Sequence, residues 1–410
     1  MSSTTSGRPA GHAKVHQVLA TLGYGDAIGH EVLGIQRVLR EAGFTSDIFV
    51  ETADPRLELL TRDYRELPEE AGADDLLIHH FSLASKASRT AYALPSHMAL
   101  IYHNITPPEY LIDVNPFLAL RCWEGRRELG AYVARCDLAL GDSEFNRQEL
   151  EALGFPRTGV LPVVPSFAHL DVEPDCALAS RFDDGWTNIL FVGRVIPNKR
   201  IEDLIRFFHA YRLAFNPRSR LLIVGSHGGF EGYLTTLYDL LARLRTPDVH
   251  LVGQVTNAEL AAFYEVADLF LCASEHEGFC VPLVEAFHNR VPVIAYAATA
   301  VPETMDGAGI LYDDKDPEVV AALIDAVVSS PSLYDRMLDE QDAALARLGA
   351  RDFTGTLLRF VDQVRRTPRL AAWDVMWNFW QQFDMDERLE ALRTDRPSIY
   401  QALPKDPAAP

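Results

Sequence analysis

The chain has 410 residues, 48% apolar and 23% charged, which exceeds what one hydrophobic core organises and excludes a disordered or fibrous protein. A net charge of −20 excludes general affinity for nucleic acid or anionic membranes, which are held by clustered Lys and Arg, although a local basic patch and a peripheral membrane contact stay open. Five cysteines (Cys122, Cys136, Cys176, Cys272, Cys280), odd in number and without a C-x-x-C pair, point to neither a disulfide framework nor a zinc site and fit a reducing cytoplasm.

The opening residues carry no apolar stretch behind a basic start, so a signal peptide is not expected. From Val15 an apolar run, VHQVLATL, meets a turn, GYGDAIG, a helical-period stretch to Ala42 and a second strand, SDIFV, which together predict a βαβ opening. LLIHHF, MALIYH and LALGDS continue the sheet, with EGRRELGAYVAR and SEFNRQELEAL as helices. Residues 1–165 thus form one Rossmann-like domain, and the aperiodic, Pro- and Asp-rich stretch 166–186 reads as a linker. NILFVG, RLLIVGS, VHLVGQ, LFLCAS and VPVIAY then mark a second doubly wound parallel sheet over 187–370, with a ligand expected at the carboxyl ends of its strands. Residues 371–410 close the chain with a helix pattern carrying Trp373, Trp377 and Trp380, expected to pack back on the first domain, and a Pro-rich end.

The sharpest motif is EHEGFCVPLVEAF. Pro282 suits the start of a helix, so the N–H groups of Gly278, Phe279, Cys280 and Val281 face the mouth of the sheet, where a helix N-terminus is suited to hold a pyrophosphate. Glu277 and Glu285 beside such a site are electrostatically odd unless they accept hydrogen bonds from hydroxyls, as on a sugar. In FVGRVIPNKRIEDLI, Arg194 follows a strand and Lys199 precedes a helix, two cations placed to neutralise a diphosphate. Gly193, Gly225 and Gly253 end three strands and permit close approach of a flat base.

With these residues the second half resembles family 4 of the retaining glycosyltransferases, whose mark is two glutamates within E-G-F-G-x-P-x-x-E; Cys280 stands where that family usually has glycine. The resemblance implies a GT-B fold, an α/β architecture of two Rossmann-like domains facing a cleft, with the acceptor held by residues 1–165 and the donor by 187–370. It implies that Glu277 contacts the transferred sugar, that Glu285 binds the ribose, and that Arg194 and Lys199 meet the leaving diphosphate. In the first half it carries over the glycine turn with Gly25 and Gly29, and His103 in ALIYHNITPPEY, which would lie against the donor sugar and support its developing positive charge. His79 and His80 in LLIHHF could line the acceptor side, and Arg121, Arg126, Arg127 and Arg135 could receive a phosphate-bearing or membrane-bound acceptor or form a solvated helix face.

The implied function is retaining transfer of a hexose-type sugar from a nucleoside diphosphate sugar, UDP- or GDP-linked, to a hydroxyl on a glycan, a lipid-linked or a small-molecule acceptor. No cofactor and no metal is expected. A sugar-nucleotide epimerase of the same fold and a non-catalytic sugar-nucleotide binder are the alternatives. Sugar, base, acceptor and oligomeric state are not set by the sequence.

Overall fold

A computed structural model describes residues 13–23, 27–368 and 395–398. Gly25 and the segment with Trp373, Trp377 and Trp380 lie outside the described residues.

The first sheet has seven strands: β1 (Val15–Leu22), β2 (Ile48–Ala53), β3 (Thr61–Asp63), β4 (Leu76–Phe81), β5 (His97–Tyr102), β6 (Leu138–Gly141) and β7 (Thr158–Val160). They pair in the order β3-β2-β1-β4-β5-β6-β7, all parallel. The central strands read as nearly continuous apolar runs because helices cover both faces, and every residue of β4 is buried. The short edge strands β3 and β7, three residues each, escaped the sequence reading because they are too brief to show a period.

The second sheet has six: β8 (Thr187–Val192), β9 (Ser219–Val224), β10 (Val249–Gly253), β11 (Leu269–Cys272), β12 (Val293–Tyr296) and β13 (Ile310–Tyr312), parallel in the order β10-β9-β8-β11-β12-β13. Chain order reverses between β1 and β4 in the first sheet and between β8 and β11 in the second. At such switch points the loops leave the carboxyl ends in opposite directions and open a crevice. The two-sheet α/β architecture is the one expected.

Two local differences follow from capping. The helix predicted from Glu124 begins at Pro116, because Asn115 caps it by accepting from the Leu118 N–H at 3.0 Å and Pro116 suits the first turn. Within the stretch read as linker, Asp175 caps a short helix, Cys176–Phe182.

The helix Phe353–Arg366 returns to the first sheet, inside the span that the sequence assigns to the second domain. Leu357, Val361 and Val364 are buried with Val15, Leu76 and Ile101. Phe360 lies so close to Gly159 of β7 that a Cβ there would come within 2.9 Å of its ring. An amphipathic helix goes where its apolar face is covered.

Candidate active site

The donor side is built at the switch point of the second sheet. Gly193 follows β8 and leads to Arg194; a 3₁₀ turn, Pro197–Lys199, delivers Lys199; β11 leads into the loop with Glu277; and the helix Val281–His288 follows. The N–H groups of Gly193 and Gly225 donate to the carbonyls of Val224 and Gly253, both at 2.9 Å, so the three predicted glycines form one row. Gly225 has no alternative, since a Cβ there would sit 1.9 Å from the Gly193 oxygen.

Among the described residues, the N–H groups of Gly278, Phe279, Cys280 and Val281 meet no acceptor, which leaves an anion-binding turn at the head of the helix. Cys280 caps that helix at φ 71°, the left-handed region that explains why glycine is expected there. Arg194 is exposed, with its guanidinium 5.6 Å from the Phe230 ring centre and no carboxylate in ion-pair range among the described residues.

Lys199 is not free. Its ammonium is paired with Oε1 of Glu277, and although burial opposes its charge, that carboxylate holds its pKa above the ordinary value. Glu277 is fixed further by its N–H, which donates to Thr299 Oγ1 at 2.9 Å, and by its carbonyl, which accepts from Asn104 Nδ2 at 3.1 Å. Glu285, one turn into the helix and buried, accepts from the Tyr264 hydroxyl at 2.9 Å and meets His169 Nε2 at 3.0 Å, which raises the His169 pKa.

Asn104 belongs to the first domain, so its bond to Glu277 crosses the cleft. Gly278 lies against it, where a Cβ would come within 2.8 Å of the Asn104 Cβ. Asn115 Nδ2 donates to the Gly229 carbonyl at 2.9 Å, and the Glu144 N–H to Glu303 Oε2 at 2.7 Å, completing a closed seam. Asn104, Thr299, His169 and Tyr264 were not foreseen. The one available signal was Asn104 itself, which holds φ 55° directly after His103, a conformation asparagine tolerates better than most residues.

Across the cleft His103 follows β5. Gln17 donates its amide N–H to the Val32 carbonyl at 3.0 Å, which turns its Oε1 to His80 Nε2 at 2.9 Å. Burial keeps His80 neutral, so its Nδ1 accepts from His103 Nε2 at 2.9 Å. His103 Nδ1 faces Asp142 Oδ2 at 2.9 Å and Glu31 Oε2 at 3.8 Å. His103 is thus held between His80 and Asp142 through both ring nitrogens.

Gly29 is buried in the first helix, Ala27–Glu41. His79, fully buried, meets Ser88 Oγ at 3.0 Å; burial takes its pKa down to about 3, and neither it nor His80 faces an open acceptor site. Arg135 is buried and donates to the carbonyls of Tyr92, Leu94 and Ser96, Arg121 donates to the Ala84 carbonyl, Arg126 pairs with Glu149 at 3.0 Å, and Arg127 stacks 5.5 Å from Trp123, so the four arginines do not form one basic patch. Two groups among the described residues bring metal-type ligand atoms within 4.8 Å of one another: Cys272, Glu277 and Cys280, and Glu31, His103 and Asp142. No helix among the described residues is long and apolar enough to cross a membrane.

Residues 179–341 match the family model described as glycosyl transferases group 1. The O-antigen chain mannosyltransferase B of Escherichia coli is 26% identical over 233 residues, 54% of this chain and 59% of its own length. The GDP-mannose-dependent alpha-mannosyltransferase of Mycolicibacterium smegmatis is 35% identical over 112 residues, 27% of this chain and 26% of its own. The chain therefore covers less than two thirds of these relatives. Among solved structures, Anabaena HepE in complex with UDP-glucose superposes with a TM-score of 0.66 at 15% identity, over 86% of this chain and 100% of that one. Sucrose-phosphate synthase from Thermosynechococcus elongatus gives 0.65 at 16%, over 86% and 99%. Such identities establish the fold alone, GT-B, and the resemblance in sequence to the glycosyl transferases group 1 family lies in residues 179–341, less than half of the chain.

Proposed function

We propose that the chain is a retaining hexosyltransferase of glycosyltransferase family 4 that moves a sugar from a UDP- or GDP-linked donor to a hydroxyl acceptor in the cytoplasm, without a metal or other cofactor. The observation that carries the reading is the anion-binding turn Gly278–Val281, flanked at one switch point by Arg194 and by the Lys199–Glu277 pair. The diphosphate lies on the unengaged N–H groups and meets Arg194, and Lys199 swings its charge toward the leaving oxygen as Glu277 takes up sugar hydroxyls. Among the described residues no side chain is assigned a nucleophile's role. Transfer therefore runs on one face: the bond from the anomeric carbon to phosphate breaks, the acceptor oxygen bonds to the same face, and its proton passes to the departing phosphate. The name of the M. smegmatis relative favours GDP-mannose, and the HepE complex favours UDP-glucose, as the first donors to try.

The test is incubation of the full chain with each donor and a panel of glycan, lipid-linked and small hydroxyl acceptors, with the product's anomeric configuration read by NMR. Retention with acceptor-dependent nucleotide release supports the reading. Inversion refutes it, and release without an acceptor, accompanied by an altered sugar, indicates an epimerase instead.

A further inference from the structure

Two thiols that the transfer does not use face each other beneath the donor loop. Cys272 closes β11 and is 1% exposed; Cys280, half-buried, caps the helix Val281–His288. Their sulfurs lie within 4.8 Å of each other and of a Glu277 carboxylate oxygen. Cys280 sits at φ 71°, where a side chain is disfavoured by about 1 kcal/mol, so the backbone alone would select glycine. The hydrogen bond between the two sulfurs, burial and the Glu277 charge hold the Cys280 thiol above the ordinary range against the opposing charge of Lys199, while the same sulfur contact holds Cys272 below it.

We propose that Cys272 and Cys280 are a modification site, forming a reversible disulfide that closes the loop carrying Glu277. The functional consequence rests on the donor-site reading above. The Cys280 thiol, the more accessible of the two, gives up its proton and attacks one sulfur of a small-molecule disulfide such as oxidised glutathione, and the expelled sulfur leaves as one thiol. Cys272 then attacks the Cys280 sulfur and expels the second. Two protein thiols are oxidised, one external disulfide is reduced to two thiols, and those carry away the two protons. Drawing the sulfurs to bonding distance pulls Cys280 toward the end of β11 and turns the N–H groups of Phe279, Cys280 and Val281 out of the anion-binding turn.

The full chain is treated with oxidised glutathione or with dithiothreitol, its thiols are counted after denaturation, and the tryptic peptide Thr246–Arg290, which holds both cysteines and no other, is weighed. UDP and GDP binding is measured by calorimetry on both forms. Oxidation should take five thiols to three, lighten that peptide by two hydrogens and weaken nucleotide binding about tenfold, the loss of one charge-assisted contact, with recovery in dithiothreitol. Cys272→Ser, lacking the resolving thiol, should stop at a glutathione adduct on Cys280. Five thiols remaining, a link between other cysteines, no adduct on Cys272→Ser, or a disulfide that leaves nucleotide binding unchanged would each overturn the proposal. A disulfide in a protein whose reduced form binds neither nucleotide upholds the modification site and overturns the donor reading.

Discussion

Lys199 and Glu277 stand on opposite flanks of the switch point in the second sheet and neutralise each other across it. Each therefore sets the position and charge of the other, and the two cannot be varied independently.

Lys199→Ala removes the cation from a carboxylate that is 9% exposed. The loss should be about 1 to 3 kcal/mol, below that of a fully buried pair because Lys199 keeps 18% of its surface in water. Lys199→Met with Glu277→Gln should regain most of that stability in thermal unfolding while transfer stays slowed by about a hundredfold or more. Arg194→Ala, with no paired carboxylate to orphan, should slow transfer comparably at unchanged stability. Equal losses of transfer and of nucleoside diphosphate binding would contradict a role that grows in the transition state.

The two glutamates should separate by what they weaken. Glu285→Gln is expected to lower the affinity for free nucleotide and nucleotide sugar alike. Glu277→Gln should spare the free nucleotide and reduce turnover. Each effect should be about tenfold to a hundredfold, from the roughly 1.5 to 3 kcal/mol of a charged acceptor. Calorimetry with the bare nucleoside diphosphate decides: a Glu277→Gln variant as weak as Glu285→Gln would reverse the assigned roles.

Glu31 gives the first domain a pH dependence. Burial, with the Asp142 charge adding, raises its pKa from 4.5 to about 8, so the folded protein keeps a proton that the unfolded chain releases above about 4.5. This contribution to stability is complete below 4.5 and is lost as pH rises toward 8. Relative to Glu31→Gln, the wild type should lose unfolding free energy steadily between pH 5 and about 8. A difference between the two that stays flat with pH would show that Glu31 is not held protonated.

Chelation should leave transfer unchanged, since N–H groups and side-chain cations meet the diphosphate. Activity lost to a chelator and restored by magnesium or manganese would refute this and direct attention to Glu31, His103 and Asp142, the all-oxygen-and-imidazole group suited to those ions.

The architecture was legible because the central strands are long apolar runs and the motifs punctuate their carboxyl ends. Arg194, Lys199, Glu277 and Glu285 could be placed at one edge from spacing alone. Their partners could not: Asn104 reaches Glu277 across 173 positions and His169 reaches Glu285 across 116, and no local period encodes such pairings. His80 and His103 fell at strand ends as read, yet the proton order along Gln17, His80, His103 and Asp142 emerges only from distances. The helix Phe353–Arg366 was visible as a pattern, but not the sheet it would cover.

That helix has a mechanical consequence. The chain passes from the first domain to the second before Thr187 and comes back at Phe353, so two strands of covalent chain span the boundary. Two bodies tied at two points keep one easy axis, the line through the ties, and resist twist and separation. Any opening of the cleft would turn the domains about that line and break the Asn104–Glu277, Asn115–Gly229 and Glu144–Glu303 contacts like teeth of a clasp.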